Sequence, residues 1–279
     1  MIIKYKHLIK FKMKQTILIT GASTGFGLML ATKLFENGFN VIGTSREPEK
    51  YKNKVPFKLL RLDISDDDSI NYFTKELFTQ IEKLDVLINN AGYAVTGLAE
   101  ETPTKIGLQQ FETNFWGTVK LTNALLPNMR NLKHGKIITV GSFLGLIGHP
   151  NFSYYSASKH ALEGYFKSLR FEVNQFNIRI SMVEPMVHKT NFFDNAVATY
   201  GNIEDYDMFR QKIHSYYNNE LKKAPGPNAV ADTIIKIINF KNPKFSYPVG
   251  KSTPMILTLQ QFLYNTFESI ILKGVNKAA

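Results

Sequence analysis

Tyr155 and Lys159 stand one helical turn apart in a stretch with helical spacing, and Ser142 precedes Tyr155 by thirteen residues. At positions i and i+4 a phenol and an ammonium share a helix face. A free tyrosine, with a pKa of about 10, is almost wholly protonated at neutral pH. An ammonium ~4 Å away, at an effective dielectric of ~20, favours the phenolate by up to ~4 kcal/mol. That amounts to about three pKa units, which brings the phenol toward the range where a general acid–base works best. A serine hydroxyl beside it can hydrogen-bond a substrate oxygen and steady the charge developing there. The chemistry expected is proton transfer to or from an oxygen.

Spacing alone does not carry this reading. With 28 lysines and 13 tyrosines in the chain, about one Tyr-x3-Lys match arises by chance. A second match runs from Tyr247 to Lys251, where Pro248 and Gly250 argue against a helix and so against a shared face. Tyr154, a rival base, has Ser158 at i+4 instead of a lysine. A lone serine in the position of Ser142 reads as a turn residue. Its place at the end of a strand, shortly before Tyr155, reverses that.

The elements that must position these groups alternate. Strands are expected at Thr16–Thr20, Asn40–Thr44, Phe57–Leu62, Asp85–Ile88, Lys136–Val140 and Ile178–Val183, with an edge strand near Phe245–Pro248. Helical patterns lie between them: to about Asn37, where Gly38 stops the helix, then Asp66–Lys83 capped by Ser65 or Asp66, a long stretch Thr104–Met129 broken near Gly117, Ser153–Phe176, and Asn228–Asn239. Residues 190–225 read as irregular and rich in aromatics. Apolar strands suited to burial on both faces, alternating with helices, predict an α/β fold: one Rossmann-like doubly wound parallel sheet with helices on both faces. Ligands then sit beyond the carboxyl ends of the strands, where each chemical motif falls.

Thr20-Gly21-Ala22-Ser23-Thr24-Gly25-Phe26-Gly27 joins the first strand to the first helix. Gly21 permits a tight turn, while Gly25 and Gly27 let backbone approach a pyrophosphate and pack helix on strand. The helix N-terminus offers free N–H groups and a positive dipole end to the anion. A nucleotide cofactor is the expected ligand.

Composition narrows the class further. At 279 residues with 44% hydrophobic side chains, the chain can build a sizeable core. No linker divides it, so residues 14–279 are expected to form one domain, with residues 1–13 as a disordered extension. Cysteine is absent, which removes thiolate chemistry and disulfides and fits a reducing compartment. The net charge is +11, but Lys4, Lys6, Lys10, Lys12 and Lys14 crowd the start, and no nucleic-acid-binding motif follows. His134, His149, His160 and His188 lack metal-ligand spacing, so no metal is expected. No apolar run reaches the ~18 residues of a membrane span, and the expected location is cytoplasmic. Residues 254–272 form an apolar C-terminal helix read as docking on the body or pairing between subunits. A membrane surface is not the favoured partner, because this segment has few lysines.

Thr-Gly-x3-Gly-x-Gly, Asn89-Asn90-Ala91-Gly92, Ser142 and Tyr155-x3-Lys159, in that order, resemble the classical short-chain dehydrogenase/reductase family over about residues 14–250. The run from Asn89-Asn90-Ala91-Gly92-Tyr93 through Phe111-Glu112-Thr113-Asn114-Phe115-Trp116-Gly117 looks most like its 17β-hydroxysteroid dehydrogenase-like branch. The resemblance implies an oxidoreductase interconverting an apolar secondary alcohol and a ketone, or reducing an aldehyde, by hydride transfer. It implies catalytic Asn114, Ser142, Tyr155 and Lys159, with Ser142 and Tyr155 touching substrate and Asn114 supporting a proton relay through Lys159. The cofactor residues implied are Gly21, Ser23, Thr24, Gly25, Phe26, Gly27, Ser45, Arg46, Asp63, Ile64, Asn90, Ala91, Gly92, Tyr155, Lys159, Pro185, Val187 and Thr190. At the end of the second strand Thr44-Ser45-Arg46 lacks the acid that would accept from a ribose 2′-hydroxyl, and Arg46 can fork onto a 2′-phosphate. NADP is therefore expected over NAD, unless Glu47 reaches the ribose instead. The family commonly has Pro-Gly after the sixth strand; this chain has Pro185-Met186, which puts the local nicotinamide geometry in question. Residues 190–225 are expected to form an aromatic substrate lid, and members of the family commonly pair, so a homodimer or homotetramer is expected. A regulatory protein that binds NADP without turnover is the alternative reading.

Overall fold

In the computed structural model, residues 14–189, 196–199, 201 and 203–277 are described. The expected N-terminal extension, Thr190 and the lid residues Phe192, Phe193 and Tyr200 lie outside them.

Strand residues alternate in direction, and the sheet uses both faces. Strands β1 (Thr16–Ile19), β2 (Asn40–Ser45), β3 (Lys58–Arg61), β4 (Val86–Asn89), β6 (Gly135–Val140), β7 (Ile178–Pro185) and β9 (Ser246–Val249) pair in the order β3-β2-β1-β4-β6-β7-β9. All six pairings are parallel. Leu18, Ile42, Leu87 and Ile137 turn to one face and meet Phe73, Leu121 and Phe166. These come from α2 (Asp67–Gln80), α4 (Thr118–Leu132) and α5 (Ser153–Val173). Ile17, Ile19, Val86, Ile88 and Ile138 turn to the other face and meet Leu30 and Leu34 of α1 (Gly25–Glu36) and Ile234 of α7 (Asn228–Asn239). A fully buried side chain of this size contributes ~1.5–3 kcal/mol, so helices must cover both faces.

Local chemistry sets the ends of these elements. Asp66 caps α2 by accepting from the Asp68 and Ser69 amides at 2.9 and 3.2 Å. Gly38 takes φ +85° where the chain leaves α1. A short parallel pair, β5 (Val95–Thr96) with β8 (Val197–Ala198), lies outside the main sheet.

Three segments differ from the reading of the sequence. The long helical stretch is not broken at Gly117. It continues from α3 (Thr104–Phe111) through a π-helical segment, Glu112–Gly117, into α4. A Cβ on Gly117 would lie 2.3 Å from the Ile64 carbonyl oxygen, so glycine there permits a close helix–loop approach. Within residues 190–225, Asp207–Lys223 is a helix, α6, and not irregular. Ile213, Tyr216 and Tyr217 form its inward stripe, and Arg210 ties it to the buried Glu101 carboxylate. The expected single C-terminal helix is two, α8 (Thr253–Phe262) and α9 (Tyr264–Asn276), parted at Leu263.

Candidate active site

The carboxyl ends of β1, β4, β6 and β7 open onto a cavity of about 590 Å3. Ser142 follows β6 in an extended conformation (φ −163°, ψ 153°), and its Oγ accepts the Leu144 amide at 3.1 Å. Tyr155 and Lys159 lie on consecutive turns of α5 and are 6% exposed each. Ser142 hydrogen-bonds the Tyr155 phenol. The Lys159 Nζ donates to the Val140 carbonyl at 3.0 Å and stands 5.7 Å from the centre of the Tyr155 ring. Asn114, in the π-helical segment, is 1% exposed. Its Oδ1 accepts the Tyr93 amide at 3.0 Å, and its Nδ2 donates to the Tyr93 carbonyl at 2.9 Å and to Ser158 Oγ at 3.2 Å. Gly92 leaves room for this convergence: a Cβ there would lie 3.0 Å from Asn114 Oδ1 and 4.0 Å from Lys159 Nζ. The four side chains expected to act together are brought together.

The electrostatics correct one expectation. Burial pushes the Tyr155 phenol up to about 12, with the Ser142 hydrogen bond opposing it. The expected lowering by Lys159 fails because that amine faces the ring and the Val140 carbonyl, and removal from water outweighs it. Burial also pulls Lys159 down to about 8, against the charge of Glu163.

The other end of the site has the form of a phosphate cradle. Gly21 and Gly25 have φ of +65° and +55°. A Cβ on Gly27 would lie 2.1 Å from the Gly21 carbonyl oxygen, so only glycine lets α1 start this close to β1. Thr24 makes no side-chain cap, leaving the first amides of α1 to face the crevice. Asn90 locks the turn, its Nδ2 donating to the Thr20 and Gly21 carbonyls at 2.9 and 3.2 Å. The Asn90 and Ala91 amides both donate to Thr20 Oγ1 at 2.9 Å. These groups fit the pyrophosphate of a dinucleotide. At the end of β2, Ser45 is buried while Arg46 is exposed, and Glu47 is held by Lys50 at 2.6 Å, which lowers its pKa. Asp63 accepts the Ser65 amide and hydroxyl at 3.0 and 2.6 Å, beside the buried Ile64.

Pro185 and Val187 border the same cavity. Met186 between them has no positive φ; its amide donates to the Val249 carbonyl at 3.0 Å. Its side chain packs in the space that Gly250 leaves, against Phe143, Ile147 and Phe267. The methionine thus becomes part of the cavity wall. Beyond Tyr155 the lining is mostly apolar, with Leu144, Ile147, Phe152, Met255, Ile256, Leu259 and Ile271, and Glu220, Lys223 and Lys251 also border it. Tyr217 of α6 packs against Phe152 with ring centres 4.9 Å apart and bonds the His149 ring and the Pro150 carbonyl. Sequence reasoning gave α8, α9 and His149 no part in this wall. The apolar spacing of residues 255–271 marked a buried face, but nothing local said what it faced. Among the described residues no group of His, Asp or Glu could hold a metal ion, and no helix is long and apolar enough to cross a membrane.

A parallel sheet of this order with a phosphate cradle and a Ser-Tyr-Lys-Asn cluster defines a dinucleotide-dependent oxidoreductase. The short chain dehydrogenase family matches residues 15–201, and the chain belongs to it. It is 38% identical over 239 residues to the 3-ketodihydrosphingosine reductase of Bacteroides thetaiotaomicron, covering 85% of this chain and 88% of that one. A short-chain dehydrogenase structure from Streptomyces avermitilis superposes with TM-score 0.80 at 28% identity, covering 94% of this chain and 97% of the other. A structure of ElxO with NADP bound superposes with TM-score 0.73 at 25% identity, over 87% of this chain and all (100%) of that one. The protein is an NAD(P)-dependent short-chain dehydrogenase/reductase.

Proposed function

We propose that this chain is an NADPH-dependent reductase of a ketone carried on an aliphatic chain. The observation that carries the proposal is the hydrogen-bonded Ser142–Tyr155 pair at the inner end of an apolar cavity. Its two hydroxyls can grip one carbonyl oxygen, while the apolar walls take the chain. Bound NADPH supplies the hydride. Tyr155, held neutral by burial, donates the proton to the carbonyl oxygen, and Ser142 orients that oxygen and stabilises its developing charge. Lys159, as an ammonium, grips the nicotinamide ribose. Asn114 fixes the Tyr93 backbone and supports proton resupply toward Lys159. Arg46 takes the 2′-phosphate; the NADP-bound relative supports that choice. The name of the Bacteroides relative supports a long-chain ketone over a steroid. Residues 190–225, including α6, act as the substrate lid. Exposed Leu108, Trp116 and Phe171 on α3, the π-helical segment and α5 support pairing of two copies through those helices.

The test is NADPH oxidation with 3-ketodihydrosphingosine, simple alkyl ketones and steroid ketones. Turnover with the long-chain ketones, lost in Tyr155→Phe while NADPH still binds, is expected. Preference for steroid ketones would overturn the substrate class. NADPH binding without turnover on any ketone or the matching alcohols would make the protein a sensor.

A further inference from the structure

Directly behind Lys159 are two carboxyl groups that no step of this mechanism uses. Glu163 lies one turn further along α5 and is 3% exposed; Glu184, near the end of β7, is 0% exposed. The two carboxyl groups interact with each other. Glu184 Oε2 also accepts the Tyr247 amide at 2.8 Å, and the Ser246 hydroxyl bonds the same carboxyl. Both oxygens of Glu163 and Oε1 of Glu184 are buried with no hydrogen-bond partner. Gly141 borders the pair: a Cβ there would lie in ordinary contact with Glu163 Oε1, at 3.5 Å. Such burial without donors is costly for carboxylates and is relieved when one of them carries a proton.

Charges around the pair are few. On α5, Lys159 and the exposed Lys167 act on Glu163. On β7 the neighbour is Glu184 itself, and β9 offers only the Ser246 hydroxyl and the Tyr247 amide. The end of β6 brings the uncharged Val140 and Gly141. Arg170, also on α5, is committed to the Ile180 and Pro243 carbonyls. Burial raises both carboxyl groups; the charge of Glu163 raises Glu184 further, while Glu184 favours the ionised form of Glu163. Like charges this close do not both ionise near neutrality. The pair therefore holds one proton and one negative charge, and the buried cation facing that charge is Lys159.

We propose that Glu163 and Glu184 share one proton as a positioning pair whose single negative charge keeps Lys159 protonated. The proposal rests on the role given to Lys159 in the proposed function. Removing the Glu163 charge leaves the amine with the Val140 carbonyl and the Tyr155 ring, so it deprotonates at lower pH. Removing Glu184 leaves Glu163 ionised beside a neutral amide donor, so Lys159 keeps its counter-charge.

The test uses Glu163→Gln and Glu184→Gln in the full-length chain with NADPH. Infrared difference spectra of the wild type should show the carbonyl stretch of a buried protonated acid, kept in Glu163→Gln, where Glu184 stays buried and protonated, and lost in Glu184→Gln. In Glu163→Gln the alkaline limbs of NADPH affinity and of kcat/KM for ketone reduction should move down by about one pH unit. In Glu184→Gln they should stay in place. Absence of the infrared band in the wild type near neutral pH, or an unmoved limb in folded Glu163→Gln, overturns the proposal. Should Glu163→Gln fail to fold, the band in the wild type and its loss in Glu184→Gln decide the matter. Turnover persisting in Tyr155→Phe would sink the assignment of Tyr155 as proton donor alone, because the infrared band and the pH dependence of NADPH affinity do not depend on that residue's role.

Discussion

Arg46 stands exposed one residue beyond the buried Ser45, at the edge where β2 meets the crevice. Its neighbour Glu47 pairs with Lys50 at the surface. A guanidinium–phosphate hydrogen bond contributes ~1.5–3 kcal/mol, and Arg46→Asp replaces it with repulsion. The ratio of kcat/KM for NADPH to that for NADH should fall at least about tenfold, read from initial rates with each cofactor. An unchanged ratio removes Arg46 from cofactor choice. Single residues were the most legible scale of this chain. Ser142, Tyr155 and Lys159 converge as their order and spacing implied, because a strand end and an i,i+4 relation fix direction over short distances; Asn114 joins them as the family resemblance implied. The sign of the Tyr155 shift was not legible, since burial is a property of the folded neighbourhood. Glu163 was written one turn after Lys159, yet its partner Glu184 is 21 positions away and meets it only through the packing of α5 on β7.

The turn from β1 into α1 shows how an element depends on missing atoms. Gly25 has φ +55° and nothing within 4 Å of an added Cβ, so Gly25→Ala meets only left-handed backbone strain, ~1–2 kcal/mol. Gly27 is the reverse: its φ is ordinary, but a Cβ would sit 2.1 Å from the Gly21 carbonyl and 2.5 Å from Asn90 Nδ2. Gly27→Ala must push α1 off β1, breaking the Asn90 bonds that hold the cradle. It should lower Tm more than Gly25→Ala and raise the NADPH Kd at least about tenfold, the effect of a loss near 1.4 kcal/mol. Thermal unfolding and fluorescence titration of the two variants check this; a Gly27→Ala protein that binds like the wild type refutes the cradle. Elements whose ends carry their own chemistry were readable: Asp66 as the cap of α2, Gly38 after α1, the strands with apolar runs. Helix α6 was not, because its order comes from Arg210 reaching Glu101 and from a stripe facing a distant wall. The break at Leu263 carries no proline or glycine to announce it.

Taken whole, the molecule sets a rigid sheet edge beneath a roof assembled from distant pieces: the turn after β6, α6, and the α8–α9 pair. Phe143, Ile147 and Phe267 join in one buried cluster with Met186, which fastens the C-terminal helices to the catalytic loop. Sequence order could not show this, since Phe143 and Phe267 are far apart along the chain. If the roof encloses an alkyl chain, each methylene moved from water into the cavity gains up to ~0.8 kcal/mol, about fourfold in kcat/KM. A homologous series of methyl alkyl ketones should therefore rise in kcat/KM with length and level off once the part of the cavity that the cofactor leaves open is filled. The rise should lie mainly in KM, because chain burial serves ground state and transition state alike. Phe267→Ala removes a side chain 6% exposed and should cost ~3–5 kcal/mol of stability. It should also flatten the series for long ketones while leaving the shortest nearly untouched, because the short substrates reach only Ser142 and Tyr155. A length series that is flat in the wild type, or equal losses for short and long ketones in Phe267→Ala, would mean that the roof does not hold the chain.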